Sequence, residues 1–406
     1  MNQQRDPATG NKDKCGEVPI KKWSSRIALL LLAIVGTVFA VEAILLCMDA
    51  NLPHFVHTPG LSRIFRPMTN VMPGVEGESR FIVNAHGLRG PGLPKPSRDD
   101  IRILCIGGST TECMILDEDQ TWPARLNDML QAKPGEIRRV WIGNAGKSGN
   151  NSRHNLLHAE QLLNQIPDVD TIILLLGVND LSSRLVLDEG YTRWDLTLKE
   201  TDTALYEKAF DVVPAHTPPD ERPAMWALPT LRARFSRLRS TFQPAPEIEA
   251  QIQDDAGACY NMWRRYRRKA RQIRTELPDL GPALVEYEQN LKAIIATARQ
   301  HKVRCVFVTQ PVMWREGLPP DKERLLWMGG VGNFRFEKRS HYYSTKALRA
   351  GMDLYNNKLR EVCRTEVVNC IDLAAALNDD LSVYYDDCHF NQKGAERVAE
   401  MIAAQL

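Results

Sequence analysis

Hydrophobic and polar positions divide the chain into stretches of different character. Ile27 to Met48 is a nearly unbroken apolar run, residues 49–100 are polar and broken by prolines and glycines, and from Ile101 short β-branched runs alternate with longer amphipathic ones. The alternation predicts five strands, Ile101–Ile106, Arg139–Ile142, Thr171–Leu176, Val303–Thr309 and Val367–Ile371, each apolar enough to be buried on both faces. Helices are expected at Trp122–Gln131, Arg153–Gln165, Leu284–Gln300, Tyr343–Arg364 and Gln392–Gln405, the last with Val398, Ile402 and Ala403 on its apolar face. Strands that alternate with helices pair in parallel and are covered on both sides, so the expected fold is an α/β, three-layer α/β/α domain over residues 101–406.

Two stretches fall outside the alternation. Residues 49–100 read as a stalk and a lead-in hairpin around Phe81–Arg89. Residues 181–280, between the third and fourth strands, are too long for an ordinary connection and read as an insertion with structure of its own. Within it Arg264, Arg265, Arg267, Arg268, Lys269, Arg271 and Arg274 interleave with Trp263 and Tyr266. Such a segment can meet an anionic polymer or lipid headgroups; the plainer expectation, favoured by the near-neutral charge of the insertion, is a solvated helix paired with nearby acidic residues.

The apolar run is long enough to cross a hydrocarbon layer of about 30 Å, and its one charge, Glu42, stands toward its C-terminal end. A single-pass anchor over 27–48 is therefore expected, with a cytoplasmic tail over 1–26. The rival is a cleavable signal ending at Val38-Phe39-Ala40, which the length of the leader and the continued apolarity disfavour. Lys12, Lys14, Lys21, Lys22 and Arg26 precede the run and only Arg63 and Arg66 follow closely, which keeps the N-terminus in the cytoplasm and exports the rest.

Composition narrows the class without choosing the chemistry. The 406 residues are 43% hydrophobic and 25% charged with a net charge of +2, which excludes collagenous, low-complexity and wholly disordered chains and offers no general basis for binding nucleic acid. Seven cysteines follow the apolar run: Cys105, Cys113, Cys259, Cys305, Cys363, Cys370 and Cys388. They show no metal-binding spacing. Cys105 and Cys305 read as buried small hydrophobes, whereas Cys363 with Cys370, or Cys113 with Cys388, can bridge in an oxidising compartment.

Chemistry gathers where the strands end. Gly107-Gly108-Ser109 turns sharply after the first strand and delivers a hydroxyl to the carboxyl edge of the sheet, where open α/β folds place their sites. Asp386-Asp387-Cys388-His389 follows the fifth strand, so His389 can take the proton of Ser109 while Asp386, or alternatively Asp387, orients the imidazole. Gly149, within the run from Asn144 to Asn151 after the second strand, and Asn179, in Gly177-Val178-Asn179-Asp180 after the third, can supply hydrogen-bond donors to an oxyanion.

These four segments in this order resemble the SGNH (GDSL-like) family of serine esterases and acyltransferases. The resemblance covers Ile101 to Leu406 apart from the insertion, and departs at Gly108, where the family's namesake block has Asp. It implies that Ser109 is the nucleophile, that Gly149 and Asn179 share the oxyanion with the Ser109 N–H, that His389 is the base and Asp386 its orienter, and that the sheet is flavodoxin-like with order 2-1-3-4-5. The segment Asn84-Ala85-His86-Gly87-Leu88-Arg89-Gly90 is similar to the lead-in of exported, anchored members. The implied function is cleavage of small acyl esters, acetyl on carbohydrate foremost, through an acyl-enzyme with no metal or organic cofactor. Alternatives are an O-acyltransferase acting on an envelope polysaccharide, a lipid esterase at the membrane, and a non-catalytic polymer-binding envelope protein. No nucleic-acid partner is expected, and the oligomeric state is open.

Overall fold

The computed structural model describes residues 26–37, 39–40, 54–95, 97, 100–133, 135, 138–193 and 251–406. Residues 26–37 and 39–40 are helical, with Leu29, Leu30, Leu32 and Phe39 exposed. Among the described residues no helix is long and apolar enough to cross a membrane, and the rest of the expected span lies outside them.

The remaining elements run in chain order. First come β1 (Ser62–Pro67), β2 (Ser79–Ile82), β3 (Ile101–Gly107), α1 (Ser109–Glu112), α2 (Trp122–Gln131), β4 (Val140–Gly146), α3 (Ser152–Gln165), β5 (Thr171–Leu175) and α4 (Val178–Leu187). Residues 194–250 lie outside the described residues. They are followed by β6 (Gln251–Ala256), α5 (Ala258–Arg268), β7 (Gln272–Arg274), α6 (Gly281–Gln300), β8 (Arg304–Val308) and α7 (Pro320–Glu323). The chain then forms β9 (His341–Tyr343), α8 (Thr345–Glu366), β10 (Asn369–Ile371), α9 (Leu373–Leu377) and α10 (Gln392–Ala403).

The central sheet has order β10-β8-β5-β3-β4 and is parallel throughout, which is the expected 2-1-3-4-5. Leu104, Ile106, Ile172, Ile173 and Phe307 are completely buried within it, because helices cover both faces. α3 and α8 pack against α6, and α2 packs against α10. Register decides where the site forms: Gly107 pairs with Gly146 and Leu175, Leu175 with Val308, and Val308 with Ile371. The five carboxyl ends therefore stand in one row, and each following loop opens at the same edge.

Several boundaries differ from the sequence reading. The second strand continues through Gly146, so Asn144-Ala145-Gly146 belongs to β4 rather than to the loop after it; Asn144 exchanges main-chain hydrogen bonds with Arg89 at 3.0 and 3.2 Å. β10 begins only at Asn369, because Val367 takes a left-handed φ of 55° that ends α8.

The segment read as a stalk is folded where it is described. β1 pairs with β2 and with β6 in a three-stranded sheet, and Val56, Phe65, Phe81, Val83 and Leu88 are buried in the core. The described ends of the insertion are likewise built into the domain, through α4, through β6 against β1, and through β7 against β9.

The basic segment is neither a solvated helix nor an open cationic face. Arg265 and Arg268 are exposed, but Arg264 is buried and donates to the carbonyls of Leu325, Val71 and Tyr385 at 2.9, 2.6 and 3.1 Å. Arg267 donates to those of Met328 and Tyr343 at 2.6 and 2.9 Å. The α5 arginines thus join three distant loops and the end of β9. Replacing Arg264 by Met strands three buried carbonyls and is expected to lower stability by about 3 kcal/mol, while Arg265→Met leaves it unchanged within about 0.5 kcal/mol. Urea unfolding of the two variants checks this, and equal losses would contradict the buried-tie reading.

Candidate active site

The site grows from the tight passage of α1 over the ends of β3 and β4. A Cβ on Gly146 would lie 2.2 Å from the Glu112 nitrogen, and one on Gly107 2.6 Å from the Leu175 carbonyl oxygen. Only glycine fits at these two strand ends, and the fit brings Ser109 down onto the sheet edge. Arg89 clamps the far end of α1. Its buried guanidinium donates to the carbonyls of Glu112 and Cys113, each at 2.7 Å, and to that of Leu116 at 2.6 Å, and pairs with Glu118 at 2.6 Å. Arg89 stood in the lead-in motif noted in the sequence, but nothing in that motif indicated what it grips.

Ser109, His389 and Asp386 lie in one hydrogen-bonded line. Ser109 Oγ is 2.7 Å from His389 Nε2, and His389 Nδ1 is 2.7 and 2.9 Å from the two oxygens of Asp386. With a neutral imidazole, the serine hydroxyl donates to Nε2 and Nδ1–H donates to the carboxylate. Asp386 is buried and also accepts the main-chain N–H of Cys388 at 3.0 Å and of His389 at 2.9 Å, and the indole N–H of Trp327 at 2.9 Å. Burial raises the Asp386 pKa, but the attraction of His389 and these donors prevail and hold it below the usual carboxylate range. Burial lowers the His389 pKa, but the Asp386 carboxylate outweighs it and carries the imidazole well above the usual 6.5. The Tyr385 ring stacks on His389, with centroids 5.5 Å apart and planes at 11°.

Asp387, the other orienter the sequence allowed, faces elsewhere. It accepts from the Trp314 indole at 2.6 Å and from the main-chain N–H groups of Trp327 and Met328 at 2.8 and 3.2 Å. It therefore fixes the strip that carries Trp327. No spacing in the sequence singled out Trp327, which stands 59 residues before its acceptor.

Gly149 and Asn179 come to the same place. Gly149 has φ of 84°, a left-handed value natural to glycine, and lies in the loop between β4 and α3. Asn179 opens α4 and donates from Nδ2 to the Asn150 carbonyl at 2.8 Å. Its neighbour Asp180 accepts from the Ser152 N–H at 3.0 Å, tying the starts of α3 and α4; burial pushes the Asp180 carboxyl up to about 7. A Cβ on Gly108 would lie 2.4 Å from Asn179 Nδ2, so the departure from the family pattern makes room for that amide. Ser148 donates to Glu112, whose carboxyl is pushed up to about 7 by burial. Gly149 and Asn179 also line a cleft with Ser182 and Ser183 of α4 and with Asn333 and Phe334.

The cysteines take no part in this line, and all seven are free thiols in this structure, including the two pairs considered for bridging. Asp386, Cys388 and His389 have donor atoms within 4.8 Å of one another. They suit a cation poorly, since both Asp386 oxygens already accept hydrogen bonds and burial pushes the Cys388 thiol up to about 11.

Comparison with known proteins places the chain in a family. The sequence pattern of the GDSL-like Lipase/Acylhydrolase family matches residues 105–397. Among solved structures, the chain is similar to the acetylxylan esterase Axe2 from Geobacillus stearothermophilus at 15% identity, covering 76% of this chain and 96% of that one, with a TM-score of 0.39. It is similar to a putative lipolytic protein of the G-D-S-L family from Desulfitobacterium hafniense at 10% identity, covering 76% and 100%, with a TM-score of 0.38. An aryl esterase from M. smegmatis shares 11% identity over 75% of this chain and 97% of that one, also with a TM-score of 0.38. None of the curated proteins matches it. The family pattern spans most of the chain and takes in the turn bearing Ser109 and the loop bearing His389, and on that ground the protein belongs to the GDSL-like lipase/acylhydrolase family of ester-hydrolysing enzymes.

Proposed function

We propose that the protein hydrolyses small acyl esters, acetyl esters of carbohydrate foremost, with Ser109 as nucleophile. The observation that carries the assignment is the unbroken line from Ser109 Oγ through His389 to the buried Asp386, with Asn179 against the turn at Gly108 and sharing a cleft with Gly149. Ser109 Oγ attacks the acyl carbon as its proton passes to His389 Nε2, and Asp386 stabilises the imidazolium. The carbonyl oxygen becomes an oxyanion, held by the N–H groups of Ser109 and Gly149 and by the Asn179 amide. When the tetrahedral species collapses, the C–O bond to the alcohol breaks and His389 returns the proton to the leaving oxygen. Water, deprotonated by the same imidazole, then attacks the acyl-enzyme and releases the acid and the free serine.

The cleft beside the oxyanion donors has both polar and apolar walls. Ser182, Ser183 and Asn333 can hydrogen-bond sugar hydroxyls, and the exposed Phe336 offers a ring face beside the apolar Val186 and Met328. Resolution of the acyl-enzyme by a sugar hydroxyl instead of water would make the same site an O-acyltransferase. The apolar run 27–48 and the lysines before it further support a single-pass anchor with the catalytic domain exported.

The full-length chain in detergent is expected to hydrolyse p-nitrophenyl acetate faster than the butanoyl and octanoyl esters, and Ser109→Ala to lower kcat by about 10⁴-fold or more; a fully active Ser109→Ala variant refutes the mechanism, and faster octanoyl turnover refutes the small-acyl preference. His389 must be neutral to act as base, so kcat/KM falls as pH drops through its raised pKa and the acid limb lies above pH 6.5. Asp386→Asn removes the carboxylate that raises that pKa, which moves the limb to lower pH and cuts kcat by about 10³–10⁴-fold; an unmoved limb contradicts the assigned pair. Expressed from its full sequence, the protein stays in the membrane pellet through alkaline carbonate washing; release into the wash refutes the anchor.

A further inference from the structure

The Asn179 amide is held by the main-chain carbonyl of Asn150, and Asn150 is itself held from behind. Its side-chain Nδ2 lies 2.7 Å from Nε2 of His158, an imidazole on α3 that is completely buried. An amide nitrogen can only donate, so Nε2 accepts and the imidazole carries its proton on Nδ1. That Nδ1 lies 3.0 Å from Nε2 of His54 and donates to it. His54 is tied back to α3 in turn, its main-chain N–H donating to Gln165 at 2.8 Å. Burial and the neighbouring His54 depress the His158 pKa well below its ordinary value, so the tautomer persists without a charge. One series of hydrogen bonds thus joins the segment before β1 to the reaction edge.

An oxyanion donor is effective only while it points at the oxygen, because a hydrogen bond weakens steeply as its angle closes. The loop between β4 and α3 that carries Asn150 includes the left-handed Gly149, whose backbone has more freedom than that of other residues. Without the tie on its side chain Asn150 could turn its carbonyl, and the Asn179 amide would follow it.

We propose that Asn150 and His158 are positioning residues for ester hydrolysis: His158, as the Nδ1–H tautomer, anchors the Asn150 side chain, so that the Asn150 carbonyl takes one Asn179 N–H and leaves the other directed at the oxyanion. The proposal rests on the reading of Asn179 as an oxyanion donor, and the test separates the two. In the full-length chain in detergent, kcat and KM for p-nitrophenyl acetate are measured for His158→Met, His158→Gln, Asn179→Ala and the double variant His158→Met with Asn179→Ala.

Methionine fills the imidazole's space without its acceptor, so His158→Met is expected to lower kcat by about ten-fold at unchanged KM, a fraction of what a whole oxyanion donor supplies. Glutamine can place an amide oxygen where Nε2 accepts, and His158→Gln is expected to recover activity to within about three-fold of the parent. In the Asn179→Ala background the methionine has no further effect, because the amide it would misdirect is gone.

Equal losses in the methionine and glutamine variants, or losses that multiply in the double variant, overturn the proposal. If His158→Met fails to show the parent's circular dichroism, Asn150→Ala is read by the same rule, a loss confined to the Asn179 background supporting the proposal and a multiplying one refuting it. Full kcat in Asn179→Ala removes the oxyanion reading together with the proposal. A disabled Asn179→Ala beside an undisturbed, folded His158→Met removes the proposal alone.

Discussion

A carboxylate with no access to water governs how this site is built. Removing Asp386 from solvent costs several kcal/mol, and the structure offsets that cost with four N–H donors, two from the main chain, one from an imidazole and one from an indole. Each donor imposes geometry on another element. The main-chain pair wraps the loop before α10 around the carboxylate, so His389 can only sit with its Nε2 toward the serine. The indole draws in the strip that carries Trp327, and the adjacent Asp387 holds the same strip by its main chain. Two neighbouring buried acids thereby divide the work, one oriented toward the reaction and the other away from it.

The opposite side of the site is held by polar ties of another kind. Arg89 satisfies main-chain carbonyls at the end of α1, and Arg264 does the same among the loops beneath α5. Guanidinium suits this task because its five donors spread in a fixed plane and can gather carbonyls from several segments at once. The apolar core fixes the sheet, but the loops above it are ordered by these arginines and by glycines where backbone meets backbone. This explains why a segment of such basic composition is largely turned inward.

How far the sequence could be read depended on the distance over which each cause acts. The five strands were legible because continuous apolar runs bounded by turns are a local signal, and Ser109, Gly149, Asn179, Asp386 and His389 were legible because each follows a strand whose end could be placed. The true length of β4 was not, since Gly143 and Gly146 are glycines for reasons that lie in Leu88 and Glu112, residues of other segments. Trp327 was invisible on the same principle: an indole meant for a carboxylate far along the chain looks like any other buried aromatic. The hairpin around Phe81–Arg89 was expected and is present, but the packing of the rest of residues 54–95 was missed, because proline and glycine mark turns without telling whether the turns are packed. The basic segment was misread because charge counts cannot distinguish a guanidinium facing water from one facing carbonyls.

The hydrogen bond between Ser109 and His389 closes a loop of 280 residues. Contacts of such long range form late, because the chain must lose the entropy of nearly its whole folded length before they bring any return, and parallel strands joined by helices offer few shortcuts. Species that have collapsed around β3, β4 and β5 would already present the serine turn but no base within reach of it. The appearance of turnover during refolding would therefore track completion of the sheet rather than its nucleation, making catalysis a late clock for the whole topology.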